Sequence, residues 1–399
     1  MRSDLYGDVC IIAIRRRFFG ESLHIRRKIV IFAENNYIMY LHQKHNWQDF
    51  RYDNDLITSI LGEVRLQQGI LMGKASRLGF NVKNEKYLET LSLEIIKSSE
   101  IEGENLNIQQ VRSSIARRLG INAAGLVPSA RYIDGIVEMN LDATRNYNQP
   151  LTDDRLFGWH NVLFPTGRSG LYAIEVGRYR TREMEVVSGP MGMETVHYQA
   201  PAPARVPEEM QKFLQWYNAD GAMDLVLKAA IAHFWFVSIH PFDDGNGRIA
   251  RALTDMLLAK SEGSPLRFYS MSNEINIDRD GYYSILEDTE TGDGDITGWL
   301  QWFLNSLKKS IDRSICTIDS VLEKTDFFAK ISSLAINQRQ KKILTMLFDG
   351  FDGKLTTAKY AKICKCSQDT ALNDINFLIA NGILEKTNDK GKNTGYWLR

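Results

Sequence analysis

The spacing of apolar side chains along the 399-residue chain predicts a mainly helical fold. Apolar residues recur every three or four positions at 56–71 and again at 88–96, which is the period of a helix with one buried face. The first region should end near Ser76 and the second at Glu102-Gly103, where glycine favours a stop. The same periodicity predicts further helices at 107–119, 128–146 (opened by Pro128), 152–163, 207–219, 222–239, 248–262 and 278–308.

Two parts of the chain depart from this pattern. Between 165 and 206, glycines, prolines and the pair Val186-Val187 predict loops and a short β-hairpin. The arms of that hairpin are predicted at Gly170–Arg182 and Val196–Pro203. A break near 326–337 then precedes a different unit.

The last unit, residues 336–399, predicts a small separate domain. Its pattern is three helices followed by two strands around a polar turn, with helices at 338–348, from Thr356 or Thr357 to Ile363 and from Ser367 to Ala380, and strands at 383–385 and 394–398. This order of elements resembles a winged helix-turn-helix.

The charge of this domain raises the question of a nucleic-acid partner. It holds eleven Lys and Arg against six Asp and Glu, in a chain whose 49 basic and 49 acidic residues cancel. A basic winged helix could bind DNA, with residues 367–380 as the reading helix and Lys390 and Lys392 on the wing. The alternative is a protein–protein module, which Asp369 and Asp374 on the reading helix favour.

Composition narrows the class of protein. Hydrophobic residues make up 44% and charged residues 25% of the chain, which is ordinary for a soluble globular protein. No run of 18 apolar residues occurs, so we expect no membrane partner. The scattered Cys10, Cys316, Cys364 and Cys366 lack Cys-x-x-Cys spacing, which predicts neither a disulfide framework nor a zinc site and favours the cytoplasm.

The N-terminal segment has an unusual order of residues. The short apolar stretch Val9–Ile14 is followed by Arg15-Arg16-Arg17, whereas a signal peptide carries its charges first. We therefore expect residues 1–38 to be poorly ordered or outside the native translation product, with Met39 as the true start.

Residues 240–251 carry the densest chemistry, reading His-Pro-Phe-Asp-Asp-Gly-Asn-Gly-Arg-Ile-Ala-Arg. Gly245 and Gly247 allow backbone N–H groups to approach a phosphate closely, and the helix that follows would present its N-terminus to that anion. Arg248 and Arg251 are three positions apart, so they share a helix face and can grip phosphate oxygens.

The same segment supplies a metal ligand and a base. Asp244 suits Mg²⁺ held jointly with phosphates, and His240 suits general-base work near neutral pH. Together these residues resemble the signature of the Fic family, His-x-Phe-x-(Asp/Glu)-Gly-Asn-Gly-Arg-x-x-Arg, and every fixed position is matched. The alternative is a structural turn in which His240 caps one helix and Asn246 starts the next.

The resemblance implies transfer of AMP from ATP to a Tyr, Thr or Ser hydroxyl of a target protein. By matching positions, it makes His240 the proton acceptor and Asp244 the ligand of Mg²⁺, and it makes Phe242 an anchor of the loop in the core. The phosphate contacts fall to the residues that follow, namely Gly245, Asn246, Gly247, Arg248 (β-phosphate) and Arg251 (γ-phosphate).

Two further regions gain a role from the resemblance. Fic proteins align the target side chain with a hairpin called the flap, for which residues 180–203, with His197 and Tyr198, are the candidate. A purely structural hairpin is the alternative. Tyr282 and Tyr283 stand where the family often lines the nucleoside pocket, although aromatic residues at helical spacing also pack in cores.

A second motif implies self-inhibition. Residues 98–103 match the pattern (Ser/Thr)-x-x-x-Glu-(Gly/Asn), with Ser98 and Glu102 at its fixed positions. In Fic proteins that carry it, the glutamate pairs with the second arginine of the signature, here Arg251, which cannot hold a carboxylate and a phosphate with the same N–H groups. The alternative is a solvated helix end with a glycine cap.

We therefore predict a mainly α protein with a short β-hairpin flap and a C-terminal winged helix. Its parts would be an extension at 1–38, a helical region at 39–120 with the inhibitory helix at about 85–103, a Fic core at 121–315 and the winged helix at 336–399. The predicted function is a self-inhibited protein adenylyltransferase that uses ATP and Mg²⁺ and modifies a target protein and itself. Alternatives are a nucleotide-sensing DNA-binding regulator, or a Fic enzyme that removes AMP or uses another donor; a homodimer is compatible with each.

Overall fold

The computed structural model describes residues 39–188, 195–387 and 394–399, and the backbone of Ala13–Arg15. The chain forms two compact units, Met1–Cys316 and Thr317–Arg399. The predicted extension at 1–38 lies outside the described residues except for Ala13–Arg15, a strand whose backbone pairs with Glu185–Val187.

The first unit is built mainly of helices, which confirms the predicted fold class. The helices are α1 (Asn54–Ser76), α2 (Phe80–Ile101), α3 (Ile108–Leu119), α4 (Arg131–Arg145), α5 (Asp153–Leu163), α6 (Val206–Asn218), α7 (Leu225–Ile239), α8 (Asn246–Glu262), α9 (Met271–Ile277), α10 (Arg279–Glu290) and α11 (Thr297–Lys330). The strands are β1 (Ala13–Arg15), β2 (Arg168–Ser169), β3 (Tyr172–Ala173), β4 (Glu185–Ser188) and β5 (Thr195–Gln199). In the described part of the chain, no helix is both long and apolar enough to cross a bilayer.

Local side chains explain where several helices begin and end. Asp53, Asn107 and Thr152 precede α1, α3 and α5, and each accepts a hydrogen bond from a backbone N–H group of the first turn. Gly120 and Gly263 follow α3 and α8 in the left-handed conformation, which ends a helix at little steric cost.

The core centres on α7, which packs along α8. Helix α7 is apolar on all sides, with Phe234, Trp235 and Phe236 buried together, as expected of a helix with neighbours all around it. Helix α8 also packs against α4, and α2 packs against α3 and α9. Consequently the loop between α7 and α8 is held in the middle of the first unit.

The hairpin in this unit differs from the prediction. Its strands are β4 and β5, paired antiparallel, so the predicted arm at Gly170–Arg182 is wrong and the arm at Val196–Pro203 is correct only over its first residues. We call β4 and β5 the flap hairpin. Residues 168–173 instead form the small separate pair β2 and β3.

Three helix boundaries also differ from the sequence pattern. Pro128 does not open α4, because that helix begins at Arg131. The predicted helix at 278–308 divides into α10 and α11, with residues 291–296 between them. Helix α11 runs on to Lys330, and the division between units falls at Cys316 and Thr317, before the predicted break.

The second unit contains the predicted order of elements. It has α12 (Gln338–Phe348), α13 (Thr357–Cys364), α14 (Gln368–Ala380), β6 (Leu384–Lys386) and β7 (Tyr396–Leu398). Asn337, Thr356 and Ser367 cap the three helices. Strand β6 pairs antiparallel with β7. The core of the unit includes Tyr360 and Ile375.

The predicted DNA surface of this unit is only partly described. Asp374 turns toward α12, where it accepts hydrogen bonds from Asn337 and Arg339, both at 2.7 Å. Its carboxylate therefore packs inside the unit instead of facing a partner. Lys390 and Lys392 lie outside the described residues, and DNA binding stays a prediction.

Candidate active site

The loop between α7 and α8 is held in one shape by its own side chains. His240 ends α7 with a left-handed backbone (φ 50°), and Gly245 takes the same region (φ 82°) just before α8. Phe242 is fully buried and stacks on His160 at 4.3 Å between ring centroids, as the anchor role requires. The Asn246 amide accepts from the N–H of Phe242 (2.9 Å) and donates to its C=O (2.8 Å).

That last contact limits how Asn246 could bind a phosphate, and the phosphate role stays a prediction. Its side chain clamps the loop, so the predicted contact would fall to its backbone N–H. The first backbone N–H groups of a helix have no partner within the helix, and in α8 they belong to a turn that begins at Asn246. The predicted anion cradle would thus be made of backbone N–H groups, and the Asn246 amide keeps that backbone in place.

His240 has one ring nitrogen anchored and the other free. Its Nδ1 lies 3.3 Å from the Val237 carbonyl, which assigns the proton to Nδ1. The buried Nε2 has no hydrogen-bond partner among the residues described. Burial, reinforced by the positive charge of Arg180, lowers the pKa of His240 to about 4, so the ring is neutral at neutral pH. Nε2 therefore offers a lone pair able to take a proton.

Arg180 is a site residue that the sequence did not reveal. Its guanidinium is almost fully buried and donates to the carbonyl oxygens of His240 (2.7 Å) and Pro201 (2.5 Å). Its backbone N–H donates to the carbonyl of Pro241 at 2.9 Å. It lies 60 positions from His240 and belongs to no motif, so only the fold shows that it sets the backbone around the histidine.

Asp244 is positioned by two contacts. Its carboxylate accepts hydrogen bonds from the Ser169 hydroxyl and from the Gly245 N–H, the latter at 2.5 Å. His160 accepts from the Gly177 N–H at Nδ1 (3.2 Å), so its Nε2 donates to the Asp244 carbonyl at 3.1 Å. Burial lowers the pKa of His160 to about 4, in keeping with this neutral tautomer.

The structure brings the two residues of the second motif onto Arg251. Arg251 donates to the Ser98 hydroxyl (2.8 Å), to the Ser98 carbonyl (2.8 Å) and to the Glu102 carboxylate (2.7 Å). Burial would lower the pKa of Arg251, but the charge of Glu102 outweighs it and the pKa is raised. The Glu102 carboxylate also lies against Gly247, where an added Cβ would come within 2.1 Å of its Oε1.

The first arginine of the signature is bound in a similar way by a residue the sequence did not single out. Arg248 donates to Glu104 at 2.8 Å, and its guanidinium lies 5.0 Å from the centre of the Phe164 ring. It is also 3.6 Å from the Asp244 carboxylate. Glu104 follows the matched motif by one residue, and it is the local turn after α2 that brings it to Arg248.

Several of these groups, including Glu102, His240 and Asp244, line one cavity of about 550 Å³, which we call the central cavity. Its walls come from the end of α2, the flap hairpin, the loop before α8 and helix α10: Glu102, Val186, Ser188, His197, Tyr198, Val237, His240, Asp244, Gly245, Asn246, Gly247, Arg279, Asp280, Tyr282, Tyr283, Ser284, Leu286, Glu287 and Glu290. Residues separated by almost two hundred positions in the sequence thus converge on a single space.

The two predicted nucleoside-pocket tyrosines have different surroundings. Tyr282 is buried, with its hydroxyl 3.0 Å from the His233 ring, so it serves the core as well as the cavity wall. Tyr283 is partly exposed and donates to the Ile101 carbonyl at 3.4 Å. Burial, together with the charge of Glu102, raises the pKa of Tyr283 to about 12, so its hydroxyl is neutral.

The two predicted flap residues also separate. His197 lines the cavity, with its ring 2.8 Å from Glu287 and 2.5 Å from the Ser188 hydroxyl. Tyr198 also forms part of the cavity wall, but it is buried and its hydroxyl donates to the Ser238 carbonyl at 2.6 Å. This hydrogen bond attaches the flap hairpin to α7.

Comparison with known proteins agrees with the signature. Residues 150–258 match the Fic/DOC family, and residues 40–121 match a domain of unknown function, DUF4172. Proteins named Protein adenylyltransferase Fic from Drosophila yakuba and Nematostella vectensis are 27% and 25% identical to this chain, covering 58% and 55% of it. They are matched over 42% and 47% of their own lengths, so the chain spans less than half of each relative.

Solved structures of Fic proteins also resemble the chain. A Fic family protein from Desulfovibrio desulfuricans G20 is 20% identical, with a TM-score of 0.49 over 86% of this chain and 95% of that one. Fic-1 (residues 134–508) from C. elegans is 22% identical, with a TM-score of 0.48 over 68% and 75%. The assignment rests on the family match and on the intact signature: residues 150–258 form a domain of the Fic/DOC family.

Proposed function

We propose that the protein is a self-inhibited adenylyltransferase that transfers AMP from ATP to a hydroxyl group of a protein. The observation that carries this proposal is the central cavity, in which His240, whose Nε2 has no partner among the described residues, lies beside the N-terminus of α8 and the Glu102 carboxylate that holds Arg251. The relatives named Protein adenylyltransferase Fic support the class of reaction.

The reaction requires positioning more than covalent chemistry. The N-terminus of α8 and Arg248 hold the phosphates, so that the α-phosphorus lies near His240. The target hydroxyl oxygen attacks that phosphorus while its proton moves to Nε2 of His240. The bond to the β-phosphate oxygen breaks, pyrophosphate leaves, and AMP stays on the target through a phosphodiester.

Arg180 and Asn246 would act as positioning residues in this reaction. Arg180 holds the carbonyl of His240, and Asn246 closes the loop on Phe242. Neither side chain needs to touch a substrate. Their effect is to keep His240 correctly placed relative to the backbone N–H groups at the N-terminus of α8. Small displacements between these groups would lower the reaction rate strongly.

The residues present fit a Mg²⁺ ion shared with the nucleotide. The Asp244 carboxylate lines the cavity beside Arg248, and a single carboxylate plus phosphate oxygens is the usual way that Mg²⁺ is held at such sites. Among the described residues, no three His, Cys, Asp or Glu side chains are grouped to hold a metal by themselves. When bound, the ion neutralises phosphate charge; Asp244 and the Ser169 hydroxyl would orient it.

Inhibition would come from Glu102. Its carboxylate occupies an N–H group of Arg251 that a terminal phosphate needs, and it lies on the Gly247 backbone at the entrance to the anion cradle. ATP would then bind with its phosphates displaced from His240. The end of α2 thus acts as an internal carboxylate competitor for the phosphate.

Radioactive ATP tests the proposal. The full chain, its Glu102→Gly variant and the double variant Glu102→Gly/His240→Ala are incubated with target lysate and ATP labelled in the α- or the γ-phosphate. We expect label on protein only from the α-phosphate, strongest with Glu102→Gly and absent without His240. Transfer of the γ-label, or no transfer by a folded Glu102→Gly protein that binds ATP, would overturn the proposal.

A further inference from the structure

The small hairpin of β2 and β3 presents a tyrosine that the proposed reaction does not use. Its strands pair Ser169 directly with Tyr172. The two residues between them form the turn, and the first, Gly170, has a positive φ of 54°, which suits a two-residue hairpin turn. The Arg168 side chain donates to the carbonyl of Leu171, the second turn residue, at 2.8 Å. Tyr172 is therefore presented by hydrogen-bonded backbone.

The hairpin contacts the candidate active site through Ser169. The Ser169 hydroxyl donates to the Asp244 carboxylate, and Asp244 lines the central cavity. Directly opposed residues of an antiparallel pair lie about 5 Å apart between Cα atoms and project from the same face. The side chain of Tyr172 therefore leaves the hairpin on the face that Ser169 turns to Asp244. A tyrosine side chain is longer than the gap between the two strands, so a change of rotamer can bring its hydroxyl beside that carboxylate.

The Tyr172 hydroxyl is accessible for reaction. Tyr172 is 69% exposed, more than any other tyrosine that the structure describes, and its hydroxyl makes no hydrogen bond with a described residue. The tyrosines of the cavity wall differ from it. Tyr198 and Tyr282 are buried, and Tyr283 donates to the Ile101 carbonyl at 3.4 Å. Each of these three would have to give up packing or a hydrogen bond in order to react.

The proposed reaction determines where an acceptor hydroxyl must lie. It requires the α-phosphorus near His240, and His240 and Asp244 line the same cavity from one loop. A hydroxyl that comes beside Asp244 would therefore be close to both the phosphorus and the base. An acceptor on the same chain also reacts at a high effective concentration, because no second molecule has to be bound and oriented.

We propose that Tyr172 is an AMP acceptor within its own chain, so that the protein adenylylates its own β2–β3 hairpin. The Tyr172 oxygen attacks the α-phosphorus of ATP, its proton moves to Nε2 of His240, and the bond to the β-phosphate oxygen breaks. Pyrophosphate leaves, and AMP stays on Tyr172 through a phosphodiester. This inference rests on the proposed function and adds to it the identity of one modified side chain.

Self-labelling of the purified protein tests the inference. The Glu102→Gly protein is incubated with α-labelled ATP and no other protein, and the modified peptide is identified by mass spectrometry. We expect AMP on Tyr172, and in the same background Tyr172→Phe should lower self-labelling at least about tenfold. Tyr132→Phe removes the hydroxyl of the second most exposed tyrosine among the described residues, at 44%, and is the matched control that should label normally.

A target lysate separates this inference from the proposed function. Glu102→Gly/Tyr172→Phe should still transfer AMP to lysate proteins at about the rate of Glu102→Gly, since it lacks only one acceptor. Undiminished self-labelling of the Tyr172→Phe protein, at another residue, would overturn the inference and leave the proposed function in place. No label on itself or on the lysate from a folded Glu102→Gly protein would overturn the proposed function and, with it, the inference.

A mixing experiment decides whether transfer occurs within one chain. Glu102→Gly/Tyr172→Phe, which has the base but not the acceptor, is mixed with Glu102→Gly/His240→Ala, which has the acceptor but not the base. We expect almost no AMP on Tyr172 of the second variant, whereas the Glu102→Gly protein should label itself at a rate per molecule that is independent of protein concentration. Labelling of Tyr172 in the mixture at the Glu102→Gly rate would overturn transfer within one chain.

Discussion

The two ends of the central cavity are prepared for a ligand in opposite ways. At the phosphate end, Arg248 and Arg251 are already bound to carboxylates of the protein itself, Glu104 and Glu102. At the α10 end, Glu290 accepts from Ser238, and Val186, Val237 and Leu286 add apolar surface to the wall. Under the proposed function, a nucleotide would displace protein charges at the phosphate end and add contacts at the other.

This difference separates binding from turnover. Under the proposed function, the nucleoside would be held at the α10 end while Glu102 keeps the phosphates in an unproductive position. An inhibited enzyme of this kind would bind ATP and release it unchanged. Relief of inhibition then requires movement only at the end of α2.

The phosphate end itself has a strong and a weak contact. Arg251 is buried and donates hydrogen bonds to the Ser98 hydroxyl, the Ser98 carbonyl and the Glu102 carboxylate. Of these acceptors, only Glu102 is charged. Arg248 is equally buried, but the Glu104 side chain is 42% exposed, so water and salt screen that pair more. We therefore expect the loss of Glu102 to change the rate of transfer more than the loss of Glu104. The four predictions below run from the largest expected effect on that rate to the smallest.

Removal of the base should have the largest effect. In the Glu102→Gly background, His240→Ala should lower the initial rate of AMP transfer about 10²- to 10⁴-fold, because it removes the proposed proton acceptor. Rates are measured from α-labelled ATP on a fixed target preparation. ATP affinity, measured separately, should change little; a variant with near-normal rates would assign the base elsewhere.

Release of Arg251 should have the next largest effect. Glu102→Gly should raise the rate of transfer about 10- to 100-fold, because one charge-assisted hydrogen bond that competes with phosphate is removed. Glu100→Gly, two positions earlier on the same helix end and paired with Lys97, is the matched control for loosening of the helix. Equal activation by both variants would argue against a specific carboxylate competitor.

The weaker carboxylate should matter less. Glu104→Gln is expected to raise the rate of transfer only about two- to fivefold, as befits a partly exposed pair. The effect should shrink in high salt, whereas that of Glu102→Gly should persist because Arg251 is buried. Activation by Glu104→Gln that equals or exceeds that of Glu102→Gly would reverse the ranking of the two contacts.

The smallest expected effect is that of pH on the rate of transfer. Since burial lowers the pKa of His240 to about 4, its base form is complete throughout pH 6–8, and the rate at saturating ATP should vary less than about twofold there. The rate should fall only as pH approaches the folded pKa from above. A loss of half the rate near pH 6.5 would instead indicate an ordinary, solvated histidine.

Residues close together in the sequence could be interpreted from the sequence alone. The Fic signature spans twelve positions, and its main features depend on local geometry: a helix end, a glycine turn and the first turn of the next helix. Most helices and their caps were likewise predictable, since apolar period and capping residues act over a few positions. The pairing of Glu102 with Arg251 required the family pattern as well.

Errors arose where local signals were weak. The hairpin arm at Gly170–Arg182 was misplaced because β-strand pairing depends on a partner strand, and the Val186-Val187 pair did not by itself show that Glu185–Ser188 is the arm. The sequence did not show that the Asn246 amide bonds to the backbone of Phe242, because residue type alone does not specify a side chain's hydrogen-bond partner.

By itself, the sequence determined the helical class and predicted a site before α8 that includes His240, Asp244 and the two arginines. Only the tertiary structure decided that Arg180 orients the histidine, that Glu104 binds Arg248 and that Glu290 enters the cavity. The first two contacts join residues 60 and 144 positions apart, and the third places Glu290 in the wall of the central cavity. Local patterns encode the elements, but burial and charge at a site depend on which distant elements pack together.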